Sequence, residues 1–124
     1  MLTGNLEPVA RLKLACAGLD QYVAFELGAY GSDHRDRDCL VPIVRERLQQ
    51  QFGAEVAAAD IVVVGDTPRD IACARAGGAR VLAVATGNFS RAELEAHHPE
   101  VVFDDLHDTD AVVARLLSRP AAVQ

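Results

Sequence analysis

Val62-Val63-Val64-Gly65-Asp66-Thr67-Pro68-Arg69-Asp70 is the stretch on which the fold turns. With Ile61 it forms a continuous β-branched run, bounded by Asp60 and Gly65-Asp66, which suits a strand buried on both faces of a parallel sheet. A helix is signalled at once. Thr67 is a natural N-cap, Pro68 takes the first helical position where its missing N–H costs nothing, Asp70 takes the third, and Gly77-Gly78 provides the stop.

Outward from this unit the alternation of strand and helix repeats. Val81 to Ala85 reads as an apolar strand ending at Thr86-Gly87-Asn88, and Ser90 with Glu93 forms a capping box for a short helix that Pro99 must terminate. Val101 to Phe103 makes a last strand, and Asp108 caps a final helix with Val112, Val113, Leu116 and Leu117 as its apolar face. Toward the N-terminus, Phe25 to Tyr30 reads as a short strand, followed by a polar loop and by a helix striped with Leu40, Val44, Leu48 and Phe52. Pro42 forces that helix to start at about Asp38 or later, and Gly53 closes it. A first helix, capped by Asn5 with Pro8 in its first turn, carries Leu6, Val9, Leu12, Cys16 and Leu19 on one face and ends at Gly18.

Strands separated by single helices predict an α/β fold with a mostly parallel sheet and helices on both faces. Ligands of such sheets bind at the carboxyl ends of the strands, a rim that holds Thr3, the loop around Arg37, Asp66, Thr86 and Asp104.

Composition narrows the partners. The 124 residues are sized for one domain, and half of them are hydrophobic, ordinary for a soluble globular protein. The net charge of -6, with acidic residues spread along the chain, argues against nucleic acid or anionic lipid. No apolar run approaches the roughly 18 residues that span a bilayer, and Met1 to Asn5 lacks the pattern of a signal peptide, so a cytoplasmic protein without a membrane partner is expected. Cys16, Cys39 and Cys73 form no CxxC pair and read as buried, reduced thiols. The neighbours His97 and His98 diverge on a helix and read as surface histidines.

Several rim residues offer chemistry. Asp66 and Asp70 could hold a hard cation such as Mg²⁺ through carboxylate oxygens, although an acid at Asp70's position also complements a helix N-terminus unaided. Asp66 has no such structural excuse, because a carboxylate at the mouth of a parallel sheet costs several kcal/mol unless paired. Thr3-Gly4-Asn5 offers a hydroxyl and backbone N–H groups as a phosphate cradle, and Arg37 could pair with phosphate or with the acidic rim.

Taken together, a strand ending in Thr3, a basic residue before a helix, and Val62-Val63-Val64-Gly65-Asp66-Thr67-Pro68-Arg69-Asp70 resemble the second, third and fourth motifs of the haloacid dehalogenase superfamily, particularly its phosphoglycolate phosphatase-like members. Ile71 to Ala79 and Val84-Ala85-Thr86-Gly87 also look like that family, and the resemblance covers nearly the whole chain. It implies a Rossmann-like three-layer α/β/α core over residues 1–119 with a tail at 120–124. It further implies that Asp66 binds Mg²⁺, that Asp70 supports the metal site and the basic residue, and that Thr3 hydrogen-bonds the transferring phosphoryl group. In the family a first-strand aspartate attacks phosphorus to form an aspartyl-phosphate, and a second aspartate two residues later moves the proton.

Two departures stand out. Arg37, followed by Asp38, replaces the family's lysine-proline. No Asp-x-Asp ends an apolar strand before Thr3, so the first, central strand is expected to be missing, as is the cap domain. The resemblance therefore implies the C-terminal part of a Mg²⁺-dependent phosphatase of small phosphate esters, inactive alone, whose partners are a small phosphorylated metabolite and the missing N-terminal half. The alternative is a non-catalytic remnant or partner-binding fragment of the same fold. A receiver-like signalling domain fits poorly, since no acidic pair ends a first strand.

Overall fold

The computed structural model describes residues 1–119; the tail expected at 120–124 lies outside the described residues. Two compact units divide the chain, Met1–Ala57 and Ala58–Gln124.

In the first unit α1 spans Glu7–Cys16, with Pro8 in its first turn as expected. Its cap differs from the expectation. Leu6, not Asn5, is the N-cap residue and gives no side-chain bond; Ser32 Oγ instead accepts the Glu7 N–H at 3.2 Å. The buried face differs too. Leu6, Val9, Leu12, Cys16 and Leu19 are exposed, whereas Ala10 is fully buried against Phe25 and Tyr30 with Leu14 alongside. Ala10 and Leu14 are also four residues apart, so α1 carries two stripes of helical period, and the two aromatic rings close on the one with the smaller side chain.

The strand expected at Phe25 to Tyr30 is mostly a 3-10 turn, Phe25–Leu27, followed by a single parallel bridge between Leu2 and Ala29. The buried Tyr30 hydroxyl needs an acceptor and finds the Phe25 carbonyl at 2.7 Å, which holds residues 25–27 folded back. A 3-10 turn, Arg37–Cys39, leads into α2 (Leu40–Phe52), which Gly53 ends in the left-handed region at φ 67°. Leu40 and Val41 are buried, but Phe52, expected on the buried stripe, is exposed.

In the second unit β1 (Val62–Gly65), β2 (Arg80–Val84) and β3 (Val101–Phe103) form a parallel sheet in that order. Val63 pairs with Val81, and Ala83 with Val102. Between them run α3 (Pro68–Ala76), which packs on β1 and β2, and α4 (Arg91–Glu95), which packs on β3; α5 (Thr109–Leu117) follows. The α/β class with a parallel sheet is thus as expected. The central β2 is apolar and buried from Val81 to Val84. Edge strand β1 departs from the expectation of burial on both faces: Val63 is buried but Val64, on the opposite side of the pleat, is 46% exposed.

Both capping boxes form as read, at Thr67 with Asp70 and at Ser90 with Glu93, and Asp108 caps α5 by accepting the Ala111 N–H at 3.0 Å. On α5 only Val112 is buried, while Val113 and Leu117 are exposed, since adjacent residues point about 100° apart and one neighbour of each pair must turn outward. Arg80 joins the start of β2 to the segment before β3 and the end of α5. It forms a two-pronged pair with Glu100 at 2.7 and 2.8 Å and donates to the carbonyls of Arg115 and Ser118. None of the three cysteines is in a disulfide, but only Cys73 is buried; Cys16 is exposed. Among the described residues no helix is long and apolar enough to cross a membrane.

Candidate functional site

In the second unit the site grows from the turn between β1 and α3. Asp66 is half-buried, directly after the strand, and its carboxylate lies against the main chain of Gly87, beyond β2. A Cβ at Gly87 would stand 2.1 Å from Asp66 Oδ2, so only glycine lets the two approach this closely. No hydrogen bond or ion pair engages the Asp66 carboxylate among the described residues. A half-buried carboxylate in that position is open to a cation.

Asp70, four residues on, is buried and has a structural task. Its Oδ2 accepts the Thr67 N–H at 3.1 Å and the Thr67 hydroxyl at 2.7 Å, while Thr67 Oγ1 accepts the Asp70 N–H at 3.2 Å. Gly65 makes room for this box, because its Cβ would meet the Cβ, Cγ and Oδ2 of Asp70 at 2.3 to 2.6 Å. The glycine of the Val64-Gly65-Asp66 run therefore serves the helix cap, and the capped helix in turn fixes the direction in which the chain leaves Asp66.

The other rim positions of this unit have distinct fates. Asp104 is taken by Arg91 at 2.8 Å, which holds its carboxyl below the ordinary range. Thr86, with Asp105, Leu106 and His107, lines a shallow pocket of about 340 Å³ beyond the ends of β2 and β3. Asp105 Oδ1 accepts the His107 main-chain N–H at 2.8 Å and lies 3.0 Å from the ring Nδ1; these bonds lower the pKa of Asp105. Among the described residues no group of three or more His, Cys, Asp or Glu converges on one point.

The first unit holds the remaining candidates. Thr3 N–H is spent on the Ala29 carbonyl at 3.0 Å, and Asn5 N–H on Thr3 Oγ1 at 3.2 Å. Thr3 Oγ1 also accepts the Asn5 Nδ2–H at 3.1 Å. Accepting twice leaves the threonine O–H to donate. The helix begins only at Glu7, so of the three backbone N–H groups expected to form a cradle, the one at Gly4 makes no bond among the described residues. Arg37 lies beside it: the ideal Cβ of Gly4 would stand 3.5 Å from Arg37 Cδ, so the arginine stem packs on that glycine. Thr3, Gly4, Asn5 and Arg37 are thus gathered in one unit, and Asp66 and Asp70 in the other.

Sequence reasoning missed the clamp that shapes the loop after Ala29. Arg47 of α2 grips Asp33 with two bonds, at 2.7 and 3.0 Å, and donates to the Gly28 carbonyl, while Asp33 Oδ2 accepts the Tyr30 N–H at 2.9 Å. The arginine holds the Asp33 carboxyl below its ordinary range. Fourteen residues separate the pair, and no local pattern announces it.

Comparison with known proteins now adds to the geometry. Residues 40–109 match the model of a family described as HAD-hydrolase-like. A haloacid dehalogenase-like protein of unknown function from Agrobacterium tumefaciens shares 25% identity and superposes with a TM-score of 0.64, over 93% of this chain and 53% of that one. The crystal structure of a structural-genomics target shares 22% identity with a TM-score of 0.66, over 92% of this chain and 37% of that one. The chain thus spans about half or less of the length of these solved relatives. No curated protein matches it.

Proposed function

Because the chain belongs to the haloacid dehalogenase-like hydrolase family, we propose that it contributes the metal-binding and phosphate-binding parts of a Mg²⁺-dependent phosphatase of small phosphate esters. The observation that carries this reading is Asp66: a half-buried carboxylate at a strand end, packed on Gly87 and without a cationic partner among the described residues. Its donor set fits the metal. Mg²⁺ takes oxygen ligands and keeps several waters, so one protein carboxylate supplemented by water and a substrate phosphate suffices, with weak affinity.

When bound, Mg²⁺ supplies charge neutralisation for the phosphoryl oxygens. Asp66 is its ligand. Asp70, committed through Oδ2 to the cap, holds the first turn of α3 and so the bearing of Asp66, which is the support that the family's fourth motif assigns to it. By the resemblance Thr3 stands at the second motif, and Arg37 stands at the third in place of the family's lysine. The free O–H of Thr3 and the N–H of Gly4 donate to phosphoryl oxygens, and the Arg37 guanidinium takes the lysine's charge with a planar fork in place of a point charge. The attacking aspartate of the aspartyl-phosphate route belongs to an Asp-x-Asp segment at the end of an apolar strand before Thr3, and neither Asp36-Arg37-Asp38 nor Asp108-Thr109-Asp110 stands in that place.

The test is release of phosphate from phenyl phosphate by the chain supplied, covalently or in trans, with an Asp-x-Asp strand. Turnover that requires Mg²⁺ and disappears in Asp66→Asn is expected. Turnover indifferent to Mg²⁺ or to that substitution contradicts the assignment. A fragment that serves only to bind a partner has no specific observation in its favour.

A further inference from the structure

Thr86 and Gly87 face two different things. Gly87 receives the Asp66 carboxylate, while its neighbour Thr86 forms a wall of the pocket shared with Leu106 and His107. Consecutive Cα atoms stand about 3.8 Å apart, so the pocket begins one residue away from the glycine on which the candidate metal ligand packs. Its lining is chiefly apolar, and Leu106 in it is half-exposed. At about 340 Å³ it is at the small end of ligand pockets, which run to roughly 300–1,000 Å³.

The polar groups at its lip give it a sign. Asp105 carries a negative charge there, bonded to His107, so a second phosphate is unwelcome while an uncharged group is not. With Nδ1 turned to Asp105, a neutral His107 donates through Nδ1 and presents Nε2 as an acceptor. Thr86 adds a hydroxyl.

We propose that this pocket receives the small, largely apolar organic group of a phosphate monoester whose phosphoryl end is held at Asp66. The proposal rests on the reading of Asp66 as the metal ligand and names the substrate class of that site: uncharged beyond its phosphate, with one flat or aliphatic face for Leu106. Substrate choice thereby resides partly in this chain's own loops after β2 and β3.

Amide chemical-shift mapping by NMR on the chain tests it with three probes: benzyl alcohol, phenyl phosphate with Mg²⁺, and inorganic phosphate with Mg²⁺. Benzyl alcohol is expected to shift Thr86, Leu106 and His107 in the wild type and in Asp66→Asn alike. Phenyl phosphate is expected to bind about five-fold more tightly than inorganic phosphate, the increment that burying part of a ring provides. Leu106→Ser should remove that increment, and Leu106→Met should keep it. The pocket assignment is overturned if benzyl alcohol leaves these amides unmoved, or if phenyl and inorganic phosphate bind equally. The Asp66 reading fails separately, if Mg²⁺ leaves the amides of Asp66 and Gly87 unshifted; benzyl alcohol binding alongside that failure would reject a phosphate monoester as the occupant.

Discussion

Gly87→Ala and Gly65→Ala add the same methyl group on either side of Asp66, and the structure separates their consequences. At Gly87 the new carbon would stand 2.1 Å from Asp66 Oδ2, the far end of a short side chain. Moving that oxygen about 1 Å relieves the clash, so stability should stay within about 0.5 kcal/mol of wild type, as for other surface changes. Mg²⁺ requires its oxygens at about 2.0–2.1 Å in near-octahedral geometry, so the same displacement should lower Mg²⁺ affinity by roughly tenfold or more. At Gly65 the methyl would meet Asp70 Cβ and Cγ as well as Oδ2, on a buried residue locked in its capping box. Nothing there yields without loss of the cap or a backbone shift, an overpacking cost of about 1–3 kcal/mol. For a chain of this size that lowers Tm by roughly 4–15 °C. Thermal unfolding by circular dichroism and Mg²⁺ titration by NMR read the two effects independently. A Gly87→Ala protein that binds Mg²⁺ like the wild type, or a Gly65→Ala protein with unchanged Tm, would refute the packing argument at that glycine.

Other outcomes follow from the same geometry. Thr67→Ala removes the acceptor for the Asp70 N–H and the hydroxyl bond to Oδ2, and should cost about 1 kcal/mol in chemical denaturation, whereas Thr67→Ser should be nearly neutral. Arg80 depresses the pKa of Glu100 from its ordinary 4.5, so the pair's stabilisation is full above that value and is lost as pH falls through the lower folded value. Glu100→Gln should therefore flatten the acid limb of the stability curve below about pH 4.5; an unaltered limb would remove the pair from the acid response. The 124 residues alone should release no phosphate from an aryl phosphate above background, and Mg²⁺-dependent release abolished by Asp66→Asn in that preparation would show a nucleophile among them.

What the sequence revealed and what it hid divide along the range of the interactions. The caps at Thr67, Ser90 and Asp108, the stop at Gly53 and the strand at Val101–Phe103 are decided within a few residues, and each was legible. The buried face of α1 was not, because Leu6, Val9 and Leu12 satisfy the helical period as well as Ala10 and Leu14 do, and only the aromatic rings of Phe25 and Tyr30 choose between them. The same Tyr30, through its bond to Phe25, turns a strand-like run into a 3-10 turn. At the candidate site Asp66 and Asp70 could be named from the strand-turn-helix pattern, and Asp70's role as a cap was visible in its position. The roles of Gly65 and Gly87 were not, since each exists to let a carboxylate approach backbone, the second one 21 residues away in sequence from Asp66.

Whether Asp66 is a metal ligand is decided by a Mg²⁺ titration of the chain, followed at the amides of Asp66 and Gly87 in the wild type and in Asp66→Asn. The structure leads to saturable shifts at both amides with millimolar affinity, absent from Asp66→Asn while its Tm stays close to that of the wild type. Shifts that persist in Asp66→Asn, or none in the wild type, would place the metal elsewhere and leave Asp66 without the role assigned to it.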